Sequence, residues 1–259
     1  MPEKVWRRAT AARRALPDFI ILGTQRGGTT SLYRCISGHP SMVPARHKEL
    51  HYFDLNYSKG EAWYRARLPL ARPGRVTGEA SPYLLFHPLA PGRAAHDLPA
   101  STRFVVLLRD PVQRAISHYW HERRLKAETE PFDVALALEE ERLSGAVECV
   151  LRGERSFAHF HFSYMARGRY AEQLERWFDH VGRDRILVVE SESLFADPEV
   201  TERVSEWLGL PSPPGPLPTM NEARRDEDAD PDVVDRLERY FVPHNENLFD
   251  LLGYRLWGR

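Results

Sequence analysis

The run from Phe19 to Ile36 constrains the fold more than any other part of the chain. Phe19-Ile20-Ile21-Leu22 is a short apolar run that stops at Gly23, the pattern of a buried strand. Gly23-Thr24-Gln25-Arg26-Gly27-Gly28-Thr29-Thr30 follows. Ser31-Leu32-Tyr33-Arg34-Cys35-Ile36 then takes up helical spacing until Gly38-His39-Pro40. In a strand–glycine loop–helix unit, backbone N–H groups converge beside the positive end of the helix dipole, which makes an anion site. The glycines let a phosphate approach the backbone closely.

The rest of the chain repeats the alternation. Arg103-Phe104-Val105-Val106-Leu107-Leu108 is the clearest buried strand, and Arg109-Asp110-Pro111 ends it. A helix is expected from Pro111 to about Lys126, with proline at its first position. A short strand is expected over Arg75 to Glu79 and another over Arg185 to Glu190. Helices are expected over Phe132 to Leu143, Tyr170 to His180, Pro198 to Leu208, Asp232 to Phe241 and His244 to Leu252. Leu210 to Pro218 carries five prolines and reads as a loop. Strands alternating with helices predict an α/β fold with a mainly parallel central sheet flanked by helices.

The 259 residues suit a single domain over 17–259, behind an N-terminal tail over 1–16. That tail is rich in Arg and Ala and has no apolar h-region, so it is no secretory signal. No stretch reaches the length of a membrane span. A net charge of -1 gives no global field for nucleic acid. Two cysteines, Cys35 and Cys149, are too few for a disulfide framework or a zinc site at standard spacing, and a reducing cytoplasm is the expected setting. Of the 36 basic residues, 32 are arginine, whose donor fork binds phosphate and sulfate well.

A nucleotide-hydrolase loop reads G-x-x-x-x-G-K-[ST]. Gly23 and Gly28 fit its glycines, but Thr29 stands where lysine is required, and the cation is Arg26, inside the loop. The loop by itself leaves kinase and transferase both open, and a purely structural glycine turn is the bland alternative. A second anion element is expected where the 103–108 strand ends. In open α/β sheets ligands sit beyond the carboxyl ends of strands. Arg109 emerges there, and Ser117 lies about two helical turns further on. Together they form a candidate clamp for another phosphate. The plain alternative pairs Arg109 with a neighbouring carboxylate and leaves Ser117 to solvent. Asp110 resembles the metal-binding Asp after a strand, but a cation at Arg109 disfavours Mg²⁺, and no dedicated metal site is evident.

At this point the chain resembles the PAPS-dependent sulfotransferases of the heparan sulfate N- and 3-O-sulfotransferase type, from about Pro17 to the C-terminus. The resemblance is carried by Gly23 to Thr30; Lys48-Glu49-Leu50-His51-Tyr52-Phe53-Asp54; Trp63-Tyr64; Gly78-Glu79-Ala80-Ser81-Pro82-Tyr83; Arg109-Asp110-Pro111-Val112 with Arg114 to Ser117; and Gly168-Arg169-Tyr170 with Leu174 and Trp177. It implies a three-layer, P-loop-like fold. It also implies that Arg26, Gly27, Gly28, Thr29 and Thr30 hold the 5'-phosphosulfate of PAPS, and that Arg109 and Ser117 hold its 3'-phosphate. Glu49 falls at the family's general base, His51 beside it, and Asp54 is a third polar member of the acceptor cleft. The acceptor would be a small molecule or a sugar.

Three departures stand out. Arg26 replaces the family's usual lysine, Ala80 replaces a substrate-contacting lysine, and no cysteines are present for a C-terminal disulfide loop. Asn221 to Asp228, through Arg224 or Arg225, is the candidate substitute for that loop. The expected reaction is in-line and metal-independent, Glu49 taking the acceptor proton while Arg26 and the loop stabilise the departing phosphate. The rival readings are a nucleotide kinase, which would need Mg²⁺, and a non-catalytic nucleotide-binding module. His159 to Phe162 are candidates for the acceptor wall.

Overall fold

The structure is a computed structural model in which residues 3–210 and 229–258 are described. Helix α1 (Glu3–Ala9) precedes strand β1 (Phe19–Ile21), which leads through the glycine loop into α2 (Thr29–Ser37). After α3 (Glu61–Arg65), strand β2 (Gly78–Ala80) is followed by α4 (Tyr83–Phe86) and α5 (Ala90–Asp97). Strand β3 (Arg103–Leu108) leads into α6 (Pro111–Arg124). Four short helices come next: α7 (Phe132–Ala137), α8 (Glu139–Leu143), α9 (Ala146–Leu151) and α10 (Phe157–His161). Then α11 (Tyr170–Val181) precedes β4 (Ile186–Glu190), and α12 (Ser191–Ala196), α13 (Pro198–Trp207) and α14 (Pro231–Leu252) complete the described elements.

The four strands form one sheet in the order β2-β1-β3-β4, and every pairing is parallel. Parallel neighbours require crossovers, so helices cover both faces and the strands are apolar on both. The period-two alternation divides them. Ile20, Leu22, Phe104, Val106 and Val188 face a core completed by α5, α11 and the end of α14, with Trp177 wholly buried. Phe19, Ile21, Val105, Leu107 and Val189 face the opposite side, against Leu32, Tyr33 and Ile36 of α2 and Leu194, Val204 and Leu208. A third cluster ties α6 to α14 through Val112, Ala115, Ile116, Leu237 and Phe241. The expected three-layer α/β architecture is the one observed.

Several boundaries differ from expectation. The strand expected over Arg75 to Glu79 is Gly78–Ala80. The helix expected from Phe132 to Leu143 breaks at Leu138, which closes α7 and opens α8. The two C-terminal helices are one, with Pro243 inside it. A proline removes one helical hydrogen bond, but Pro243 lies on the exposed face, and Phe241, Leu248, Phe249 and Leu252 hold both flanks in the core. The N-terminal residues from Glu3 onward are fastened to the body, although α1 buries none of its own residues. Arg14 is 2% exposed and donates to the Leu68 carbonyl at 2.7 Å, and Arg7 donates to the same carbonyl at 2.9 Å. The segments expected as a proline-rich loop beyond Leu210 and as a cofactor cover, with Arg224 and Arg225, fall almost wholly outside the described residues.

Candidate active site

The glycine loop lies at the carboxyl edge of β1, held down on β3 by the bond from Thr24 N to Leu107 O at 2.8 Å. Two of its glycines are demanded by geometry. Gly28 caps α2 with φ +84°, in the left-handed region that side chains avoid. At Gly27 a Cβ would sit 2.4 Å from Thr24 Oγ1 and 3.1 Å from the Leu107 carbonyl. Gly27 N donates to Thr24 O at 3.0 Å. Gly27, expected among the cofactor-binding residues, spends its amide on this turn bond within the loop. Gly28, Thr29, Thr30 and Ser31 line the cleft instead, in the first turn of α2, where a helix has no internal partners for its N–H groups.

Arg26 takes φ 71°, unusual for a residue with a side chain, and its Nε donates to Ser117 Oγ at 2.9 Å. Ser117 is buried on α6. Arg109 lines the cleft just past β3, where its Nε meets Glu192 Oε1 at 3.2 Å. The two proposed partners of one phosphate therefore each hold a different protein group, Arg109 a carboxylate and Ser117 the loop arginine. Asp110 is the N-cap of α6, accepting from Val112 N and Gln113 N at 3.0 Å each. That use explains its position after the strand without a metal.

Across the cleft, Glu49 and His51 both adopt positive φ, 61° and 51°. Strained backbone of this kind persists only where the surroundings enforce it, and here Glu49 N is tied to the Ala80 carbonyl of β2 at 3.0 Å. Glu49, His51 and Asp54 form a row: His51 Nε2 is 3.6 Å from Glu49 Oε2, and His51 Nδ1 is 2.8 Å from Asp54 Oδ2. Asp54 is buried and also accepts from Leu55 N at 2.6 Å. Burial opposes a charged His51, but bonds to Asp54 and Glu49 outweigh it and raise the imidazole to about 10. Burial likewise opposes an ionised Glu49, but the bond from His51 and the charge of adjacent Lys48 outweigh it and lower the carboxyl to about 2. Lys48 Nζ contacts Glu49 Oε1 directly.

The cleft also holds residues that pattern reading did not single out. Arg167 lines it while only 4% exposed. Its Nε donates to Ser163 Oγ at 2.9 Å, its Nη2 to the carbonyls of His159 and Phe160, and its Nη1 to Gln25 Oε1. Of the expected wall residues, Phe160 lines the cleft, 6.0 Å from the His51 ring between centroids. His159 bonds Tyr83 Oη at 2.7 Å, His161 bonds Glu122, and Phe162 lies beneath the Arg142 guanidinium. The only local signal for Arg167 was its place just before Gly168-Arg169-Tyr170.

An anion loop opening a helix at the carboxyl edge of a parallel sheet, opposed by a carboxylate–imidazole–carboxylate row, is the layout of a P-loop-like group-transfer protein. The chain belongs to the sulfotransferase domain family, whose model matches residues 16–226. It is 29% identical to human heparan sulfate glucosamine 3-O-sulfotransferase 3B1 over 92% of this chain and 64% of that protein. Against the mouse 3B1 protein it is 33% identical over 77% of this chain and 48% of that one. The chain thus spans less than two thirds of the length of these relatives. Among solved structures, a sulfotransferase from Alicyclobacillus acidocaldarius superposes with a TM-score of 0.75 at 29% identity, covering 93% of this chain and 98% of that one.

Proposed function

We propose that this protein moves the sulfuryl group of PAPS to a hydroxyl or amine of a carbohydrate or small-molecule acceptor. The observation that carries the reading is the facing of the anion loop and the Glu49–His51–Asp54 row across one cleft. Relatives named for heparan sulfate support a sugar acceptor. The residues present fit the nucleotide. Ser31 Oγ lies buried at the cleft with no hydrogen-bond partner among the described residues, beside the open first turn of α2.

PAPS supplies a sulfuryl group on a phosphate that leaves with its nucleotide. In this reading the α2 N-terminus with Thr29 and Thr30 holds the 5'-phosphosulfate. Arg109 exchanges Glu192 for the 3'-phosphate, and the Ser117 hydroxyl steadies Arg26 while offering its own proton to that phosphate. Arg26 stabilises charge on the departing oxygen. Glu49 takes the acceptor proton as the acceptor oxygen or nitrogen bonds to sulfur and the bond from sulfur to phosphate oxygen breaks. Lys48 covers Glu49 Oε1, and in this reading the acceptor takes the place of Lys48 there. His51, held charged by Asp54, fixes the orientation of Glu49.

The test is calorimetric titration with adenosine 3',5'-bisphosphate, AMP and Mg-ATP, on wild type and Arg109→Ala. The expected result is preference for the bisphosphate, weakened at least tenfold in the variant, about 1.4 kcal/mol. Preference for Mg-ATP would favour a kinase and overturn the proposal.

A further inference from the structure

Gln25, Glu122, Arg167 and His161 take no part in the reaction outlined above, yet they form one bonded arrangement beside it, in which Glu122 and Arg167 are buried and Gln25 and His161 are partly so. Gln25 lies between opposite charges. Arg167 Nη1 donates to its Oε1, and its Nε2 donates to Glu122 Oε1 at 3.4 Å. An amide has a donor end and an acceptor end, so this pair of charges dictates which way the Gln25 side chain lies. Both flanking groups also grip the acceptor side. Glu122 Oε2 bonds His161 Nδ1 at 2.8 Å, and Arg167 Nη2 donates to the carbonyls of His159 and Phe160. All three partners belong to α10, whose Phe160 faces His51.

Gln25 is also the residue before Arg26, whose left-handed backbone must be enforced by its neighbours. On one side the enforcement is the Gly27 amide on Thr24 O. On the other it is the Gln25 side chain, anchored to α6 through Glu122 and to α10 through Arg167. A rotation of the loop about Arg26 would therefore drag or break bonds that end on α10. The burial of Glu122 and Arg167 makes those bonds costly to lose, because a carboxylate or guanidinium left unmatched there is poorly solvated.

We propose that Gln25 is a positioning residue that couples the anion loop to the acceptor wall, so that filling the loop holds α10 in place through Arg167 and Glu122. The proposal rests on the nucleotide reading above. Coupling between two sites is a free energy and must be measured as one, since spatial continuity alone does not establish it.

The experiment is hydrogen exchange at the backbone amides of residues 157–161, with and without saturating adenosine 3',5'-bisphosphate. It would be run on wild type, Gln25→Leu and Gln25→Met, both variants lacking the amide and the second keeping an unbranched chain should the first fail to fold. In wild type the nucleotide is expected to slow exchange there by about five- to tenfold, the usual span of a modest coupling. In either folded variant it is expected to bind without slowing α10. Equal slowing in the variants would overturn the proposal. So would binding to wild type with no slowing, which leaves the nucleotide reading intact. Failure of wild type to bind the nucleotide would overturn both readings.

Discussion

At the scale of single residues, the cleft is governed by three charges in a row. His51 is raised to about 10 by Asp54 and Glu49 in spite of burial, above the ordinary imidazole value of about 6.5. A group raised on folding contributes stability in full below its unfolded value and loses it as pH climbs through its folded value. His51→Gln should therefore melt well below wild type at pH 6, and the two melting temperatures should converge toward pH 10. A gap that widens with pH would mean that His51 is neutral in the native state. Glu49→Gln keeps the shape of the side chain and removes its proton acceptor. It should cut turnover by ~10²–10⁴-fold while calorimetry shows nucleotide binding unchanged. The chain position of Glu49 was legible from Lys48 to Asp54. Its strained backbone, and the bond from His51 that together with the Lys48 charge brings it to about 2, were not, because they depend on how the folded segment is held, with Ala80 of β2 under the Glu49 amide.

At the scale of elements, the unit of β1, loop and α2 could be read directly, since an apolar run, glycines and helical spacing are local signals. So could β3 and the opening of α6. The breaks that reading misplaced lie where burial overrides a local rule. Pro243 predicts an end to a helix, yet its flanks are anchored by Phe241 and Leu248 and α14 runs on. The loop glycines allow a sharper test. A Cβ at Gly28 would come 2.8 Å from the Phe195 ring in addition to adopting φ +84°. Gly28→Ala should cost about 1–3 kcal/mol by urea unfolding and weaken bisphosphate binding more than Gly145→Ala. Gly145 also has positive φ, but a Cβ there meets open space, so it measures the backbone term alone.

For the molecule as a whole, all four strands among the described residues run the same way, so their carboxyl ends open on one edge and the glycine loop, Arg109 and the β2 segment converge there. The gathering of Gln25, Glu122 and Arg167 was invisible beforehand, because these residues are up to 142 positions apart and share no motif. The attachment of the N-terminal residues was equally hidden: an Arg- and Ala-rich stretch reads as solvated, and only the folded chain shows its guanidinium groups matched to carbonyls near Leu68. Arg14→Ala removes a buried group bonded to Leu68 O and Thr10 Oγ1. Its expected cost is about 1–3 kcal/mol in urea unfolding, and a value near zero would show that residues 3–14 add nothing to the stability of the body.

The ion pair between Arg109 and Glu192 changes what recognition at that corner must be. The arginine does not wait in water for an anion; it already has one, half-exposed and tethered to α12. A newcomer succeeds only by outbidding a carboxylate, which a doubly charged phosphate can do and a hydroxyl cannot. On the proposed reading the corner is an ion exchanger, its selectivity set as much by the resident it must evict as by the guest it admits.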